Sequence, residues 1–309
     1  MKIHLSQFAG FCGGVKRAYD MVAGLDMAAV KQPVFILGSL VHNPEVNKKI
    51  KERGILEISR ENFFAALPGE IGTVIITAHG TGPDAYAAAK EKNIDVIDAT
   101  CPKVIKVQRL AQVYKKRGYK IVLVGDRGHK EVRGIDEWGG GESIIISGED
   151  DLKNMEKYFE RSAHPKTSDV FSPKNIVRTS DVREKKIAVL AQTTQNEDFV
   201  KKVGEIFKKK YPDAEVLPTT CGATHERQRE VKKLAKEHEA VLVIGSPTSA
   251  NSTRLFEIAS AINPETHFID NSSELKKEWF SGIGSVAVTA GASAPKWVIE
   301  DVVARLRLI

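Results

Sequence analysis

Cysteine is scarce in this 309-residue sequence: there are three, Cys12, Cys101 and Cys221, and no two of them form a C-x-x-C pair. An odd number at such separations argues against a disulfide framework. Long apolar runs are missing too, and none reaches the ~18 residues that span a bilayer. The opening Met1-Lys2-Ile3-His4-Leu5-Ser6-Gln7 has neither the apolar centre nor the cleavage site of a signal peptide, so a cytoplasmic protein is expected. There is no Gly-x-Gly-x-x-Gly and no Gly-x4-Gly-Lys-Ser/Thr, hence no dinucleotide or P-loop fingerprint. Nor is there a basic tail. The formal charge of +6 is spread along the chain, and no basic stretch is interleaved with aromatics, which argues against nucleic-acid binding. That charge reads mainly as solubility, with part of the field available to an anionic substrate or an acidic redox partner.

What is present is alternation. Apolar, strand-like runs (34–37, 74–77, 95–97, 121–124, 143–146, 187–191, 241–244, 266–269, 285–289) are separated by amphipathic stretches. Helical periodicity is clearest over 15–23, 104–116, 200–210, 227–238, 253–262 and 295–308. This pattern predicts an α/β fold of mostly parallel sheets. The polar segment 161–181 reads as a long connection.

Each cysteine has the same local address. Cys12 lies in Gly10-Phe11-Cys12-Gly13-Gly14 and Cys101 in Asp98-Ala99-Thr100-Cys101-Pro102. Cys221 lies in Thr219-Thr220-Cys221-Gly222. All three stand just before a helix, where free N–H groups and the helix dipole favour a thiolate. Their domain-sized separations predict three α/β units, residues 14–100 with Cys12 at its entry, 101–218, and 219–309 with 1–13, each offering one thiol to a centre from the start of a helix. Buried structural thiols are the plainer alternative. A zinc site completed by a histidine is another, because three thiolates leave zinc one ligand short. A [4Fe–4S] cluster with three thiolates and one open iron suits the neighbouring residues better.

Three histidines, His42, His79 and His129, fall in Gly/Pro-marked loops after strands, where α/β folds place ligands. Glu131 follows His129 by two residues. On an extended loop both side chains would share a face, making Glu131 a candidate proton donor; a surface Glu paired with Lys130 or Arg133 is the alternative. Two further turns, Gly245-Ser246-Pro247-Thr248-Ser249-Ala250-Asn251-Ser252 and Ala290-Gly291-Ala292-Ser293-Ala294-Pro295, offer helix N-termini and short hydroxyls suited to a phosphate or diphosphate. Ordinary N-capping accounts for either turn alone. It also accounts for Gln192-Thr193-Thr194.

These segments, in order over nearly the whole chain, resemble the 4-hydroxy-3-methylbut-2-enyl diphosphate reductase (LytB/IspH) family. The matching stretches are Gly-Phe-Cys-Gly-Gly-Val-Lys-Arg-Ala (10–18), Val-His-Asn-Pro (41–44), Ala-His-Gly (78–80) and Asp-Ala-Thr-Cys-Pro (98–102). They continue with Gly-His-Lys-Glu-Val (128–132), Gln-Thr-Thr (192–194), Cys-Gly-Ala-Thr-His-Glu-Arg-Gln (221–228), Ser-Ala-Asn-Ser (249–252) and Val-Thr-Ala-Gly-Ala-Ser-Ala-Pro (288–295). The resemblance implies a pseudo-threefold trefoil around one [4Fe–4S] cluster held by Cys12, Cys101 and Cys221. It further implies that His42, His79 and His129 contact the substrate, with Glu131, Thr193 and His129 serving catalysis. Ser249, Ala250, Asn251 and Ser293 would bind its diphosphate. The activity implied is the reductive loss of an allylic hydroxyl, giving isopentenyl and dimethylallyl diphosphate at the last step of the non-mevalonate isoprenoid pathway. The enzyme would be a monomer fed by ferredoxin, flavodoxin or a similar donor. Two positions depart from the family pattern. Ala250 stands where a second serine is usual, and Lys130 where proline is, beside Glu131 and expected to favour its ionised form. They leave open a paralogue acting on another anion by hydratase or dehydratase chemistry. A non-enzymatic redox-sensing metal protein is the third reading.

Overall fold

The β-branched runs pair, in the computed structural model of the protein, into three four-stranded sheets, and every pairing is parallel. The structure describes residues 1–154 and 186–309, so the connection expected over 161–181 lies outside the described residues. In chain order the elements are β1 (Lys2–Leu5), α1 (Gly13–Ala23), β2 (Val34–Leu37), α2 (Pro44–Glu52), β3 (Leu56–Ile58), α3 (Arg60–Ala65), β4 (Thr73–Ile76), α4 (Pro83–Glu91) and β5 (Asp95–Asp98). Then come α5 (Pro102–Lys116), β6 (Lys120–Val124), α6 (Lys130–Trp138), β7 (Ile144–Ile146), α7 (Glu149–Lys153), β8 (Ile187–Ala191), α8 (Glu197–Lys210) and β9 (Glu215–Val216). The chain ends with α9 (Gly222–Glu237), β10 (Ala240–Ile244), α10 (Ala250–Ser260), β11 (Thr266–Ile269), β12 (Ser285–Ala290) and α11 (Lys296–Leu306). No helix among the described residues is long and apolar enough to cross a membrane.

The sheets run β3-β2-β4-β5, β7-β6-β8-β9 and β11-β10-β12-β1. All three share one topology, in which the second strand lies outside the first and the third and fourth follow on the other side. The third sheet is completed by β1, which pairs with β12 from Lys2↔Ser285 to Leu5↔Val288. The threefold repeat is therefore cyclically permuted in sequence.

Central strands are buried on both faces, and their alternation decides which core each side chain enters. In β10, Leu242 and Ile244 join the cluster under α11, whereas Val241 and Val243 join the one under α9 and α10. In β6, Val122 and Val124 pack toward α8, and Ile121 and Leu123 toward α5 and α6. Trp297 of α11 packs on Phe11 and on Tyr19 of α1, and it contributes to both adjoining cores.

The expected α/β class and parallel sheets are found. The strands missing from the sequence reading, β1, β3 and β9, are edge strands of two to four residues. The helices it left unassigned are short. Of these, α2 and α4 begin with proline at the first turn, and α2 has Asn43 accepting the Val46 N–H as its cap.

Candidate active site

Because the three sheets repeat, so do the ends of their strands. The first strand of each is followed by His42, His129 or Ser249, the third by His79, Thr193 or Ser293, and the fourth by Cys101, Cys221 or Cys12. All nine line one central pocket, together with Glu131, Ala250, Asn251 and Arg227. Every site residue expected from the sequence lies in this pocket.

Each cysteine is the N-cap of a helix, and that helix opens the unit after the one whose edge strand led to it. Cys12 Sγ accepts the Val15 N–H at 3.5 Å. The Cys101 N–H donates to the Ala78 carbonyl at 3.0 Å, and the Cys221 N–H to the Thr193 carbonyl at 2.9 Å. Each of these two thiols is thus tied by its backbone to a strand end that carries another pocket residue. Burial pushes the Cys101 thiol up, opposed by the Lys103 and Val104 N–H groups and reinforced by the charges of Cys12 and Cys221. Arg227 is buried between these walls, donating to the Gly10 carbonyl at 2.7 Å and the Ala223 carbonyl at 2.9 Å, and it feels the charges of Cys12 and Cys221. Gly14 leaves a hollow beside the sulfurs, since a Cβ there would overlap Cys101 Sγ and stand 3.9 Å from Cys12 Sγ. Three free thiols at helix N-termini, a glycine hollow and a neighbouring buried guanidinium fit a centre with three thiolate ligands and a net negative charge.

The three histidines form the second wall, with ring centroids 4.8 to 6.0 Å apart. Burial, then the nearby positive groups, lowers His42 to about 4, and His79 falls well below the ordinary imidazole range. Burial lowers His129 as well, against the Asp126 charge. All three are therefore neutral near pH 7 until an anion joins them. His42 Nε2 is buried without a hydrogen-bond partner among the described residues. His129 caps α6, its Nδ1 accepting the Glu131 N–H at 3.1 Å, which assigns the proton to Nε2.

Residues 129–131 are not the extended loop that the sequence suggested. Helix α6 starts at Lys130, so Glu131 sits in its first turn. The surface alternative for Glu131 fails too: the side chain is 2% exposed and closes on Thr193. Thr193 N donates to Oε1 at 2.6 Å, and Thr193 Oγ1 to Oε2 at 3.0 Å. Burial outweighs both hydrogen bonds and raises the carboxyl to about 7, with Asp126 adding repulsion. Lys130 does not favour its ionised form. The ammonium instead lies over Gly38, whose φ of +78° and missing Cβ leave room for it: a Cβ would fall 2.6 Å from Nζ.

A carboxyl raised in this way has a measurable signature. The folded protein holds a proton that the unfolded chain releases between about 4.5 and 7. Glu131 therefore contributes stability that is present below that window and lost as pH rises through it, ~3 kcal/mol in all. Urea unfolding of Glu131→Gln at pH 5 and pH 8 is expected to show that this part of the pH dependence has gone. An unchanged difference between the two pH values would place the titration elsewhere.

The third wall is the pair of small-residue turns. Ser249 caps α10, and its Oγ accepts from Ser252 Oγ at 3.0 Å and Ser293 Oγ at 3.2 Å. Asn251 Nδ2 is a buried donor with no partner among the described residues. An orphaned amide, two hydroxyls and the N–H groups opening α10 make an anion cradle. Ala250 lines it without a hydroxyl. Gly14 and Arg227 are the residues whose part the sequence reading did not assign. Both fall inside motifs it quoted, but which atoms they face depends on contacts between units.

Fold and pocket together define a class: a threefold-repeated α/β protein with three cysteines converging on one pocket between its sheets. The family model described as LytB protein matches residues 3–307, and the chain belongs to that family. Among its relatives, 4-hydroxy-3-methylbut-2-enyl diphosphate reductase of Pelobacter propionicus is 34% identical over 99% of this chain and 98% of its own length. The protein of the same name from Trichlorobacter lovleyi is 36% identical with the same coverage. A solved structure of the E-1-hydroxy-2-methyl-but-2-enyl-4-diphosphate reductase from Plasmodium falciparum superposes with a TM-score of 0.81 at 26% identity, over 98% of this chain and 87% of that one. Another, described as (E)-4-hydroxy-3-methyl-but-2-enyl diphosphate reductase, the terminal enzyme of the non-mevalonate pathway, gives 0.63 at 34% identity over both full lengths.

Proposed function

We propose that the protein reduces 4-hydroxy-3-methylbut-2-enyl diphosphate to isopentenyl and dimethylallyl diphosphate. The observation that carries this reading is the convergence of three thiols, a buried carboxyl raised to about 7 and an anion cradle on one pocket. Cys12, Cys101 and Cys221 would hold one [4Fe–4S] cluster, which when bound supplies electrons and an open Lewis-acid iron. One thiol stands at the entry of each of three units: Cys12 just before 14–100, Cys101 opening 101–218, and Cys221 near the start of 219–309, whose sheet is completed by 1–13.

The remaining steps belong to the chain. Ser249, Asn251 and Ser293, with the N–H groups opening α10, hold the diphosphate. His42, His79 and His129 turn toward it, and an arriving dianion raises their proton affinity, so binding takes up protons. At the other end, Oε1 of Glu131 is occupied by the Thr193 N–H, leaving Oε2 as the atom that carries the proton. When Oε2 is protonated its hydrogen bond with Thr193 reverses, Oε2–H donating to Oγ1, and the acid proton passes to Oγ1 as the threonine hydroxyl passes its own to the departing oxygen. The buried walls exclude water from this relay.

The deciding experiment is anaerobic turnover of the diphosphate alcohol by cluster-reconstituted protein with reduced methyl viologen. Consumption of the alcohol with formation of both isomers supports the reading, and no turnover by fully loaded protein overturns it. Ala250 tests the substrate separately. Ala250→Ser should restore one hydroxyl contact and tighten isopentenyl diphosphate by about tenfold, or ~1.4 kcal/mol. The gain should appear in affinity more than in turnover, because the phosphate is remote from the reacting carbon. Calorimetric titration of both forms checks it; no measurable binding by either would favour the paralogue acting on another anion.

A further inference from the structure

Three helices of this protein begin at a cysteine of the central pocket, and their outer faces are not equivalent. On α1, Lys16 pairs with Asp20 at 2.5 Å and Arg17 donates to the Thr100 carbonyl at 3.2 Å. On α9, Arg229 pairs with Glu197, Lys232 with Asp198 and Lys233 with Glu237. Helix α5, PKVIKVQRLAQVYKK, contains no acidic residue at all. Its Lys103, Lys106 and Arg109 are exposed and have no ion pair among the described residues. Only near its far end is a base paired, Lys115 with Glu142 at 2.7 Å. Lys103 lies at the mouth of the central pocket, and Lys106 and Arg109 border a shallow groove of Pro102, Ile105, Leu110 and Val113, the last 39% exposed. The one carboxylate beside Arg109 at the groove's edge, Asp98, is already engaged by the Tyr86 hydroxyl at 2.9 Å and the Thr100 N–H at 2.9 Å.

An unneutralised basic row around an apolar strip matches an acidic protein surface with an apolar centre. The proposed reaction needs such a partner. Removing the hydroxyl as water breaks a C–O bond and forms a C–H bond, consuming two electrons and two protons, one for the departing oxygen and one for carbon. The sequence carries no nicotinamide or flavin fingerprint to supply those electrons. We propose, resting on the function above, that the exposed face of α5 from Pro102 to Val113 is the docking surface for an acidic one-electron carrier protein, which is oxidised twice per turnover and meets the pocket at Cys101.

The test uses cluster-loaded protein and an oxidised acidic [2Fe–2S] ferredoxin as probe. Lys106→Glu with Arg109→Glu changes two exposed side chains to a residue of similar helix propensity, so α5 should be retained. The double variant should weaken the ferredoxin dissociation constant by about tenfold and flatten its salt dependence. Ferredoxin-driven turnover should fall with it, while methyl viologen-driven turnover is unchanged. Lys208→Glu with Lys209→Glu, at the distant end of α8, should leave all of these as they were. Unchanged ferredoxin affinity in the α5 variant, equal weakening by the α8 variant, or parallel loss of viologen-driven turnover would each overturn the docking assignment. Absence of viologen-driven turnover in the unaltered protein would strike the proposed reaction instead, and the binding measurement would still decide the surface.

Discussion

Glu131→Gln is expected to lower turnover by ~10²–10⁴ while leaving cluster content and product binding nearly unchanged. The substitution keeps the shape of the side chain, and its amide oxygen can still accept the Thr193 N–H that now reaches Oε1. What it loses is the removable proton on the second atom. The carboxyl sits at about 7 because burial outweighs two hydrogen bonds from Thr193, so at neutral pH roughly half the molecules hold the proton in the free enzyme. Turnover of the unaltered protein should accordingly decline as pH rises through that value, and Glu131→Gln should lose this limb of the profile along with the rate. A variant with ordinary turnover, or with the same alkaline limb, would assign the proton to another group. His129 would be the first to examine, since its ring already accepts the Glu131 N–H.

Gly14→Ala is expected to do comparable damage by another route. Gly14 lies in the first turn of α1, where its backbone is helical and alanine is intrinsically favoured by about 1 kcal/mol. In the cluster-free protein the Cys101 side chain must rotate to make room for the methyl, which offsets that gain, so stability should change little. The added methyl would overlap the sulfur of Cys101 and stand in ordinary contact, at 3.9 Å, with that of Cys12. Displacing a catalytic group by an ångström costs on the order of 10² in rate, and here the displaced atom is one of the three proposed to hold the cluster. Iron and sulfide per chain after anaerobic reconstitution should fall together with turnover, while thermal unfolding of the apoprotein changes little. Full iron content at normal turnover would mean that the hollow beside the sulfurs is incidental.

The sequence revealed most about whatever is decided locally. Cys12, Cys101 and Cys221 announce themselves because a helix start needs small residues, hydroxyls or proline, and these surround all three. His42, His79 and the Ser249 and Ser293 turns follow for the same reason, being strand ends with short neighbours. Glu131 was recognisable as a candidate but its setting was not. Its burial comes from Thr193, some sixty residues away in sequence, and the helix that carries it is only nine residues long. Lys130 could not be placed at all from its neighbours, because the glycine that accommodates it belongs to another sheet. Short edge strands such as β9, two residues long, carry too little periodicity to be read, yet they decide which unit each thiol leaves and which it enters.

The cyclic permutation of the third sheet has a consequence for how the protein is made. Its outer strand β1 leaves the ribosome well before β12, the strand it must pair with, and most of the chain is synthesised in between. The sheets over 34–98 and 120–216 close over much shorter loops, so they can form while synthesis continues. Until β12 emerges, the segment bearing Cys12 has no sheet to anchor it, and the thiols cannot all be in place. Delivery of the proposed cluster to this pocket would therefore wait for a nearly finished polypeptide. A ribosome-bound chain stalled before Ser285 should present two folded lobes, an untethered amino-terminal segment and no capacity to retain iron.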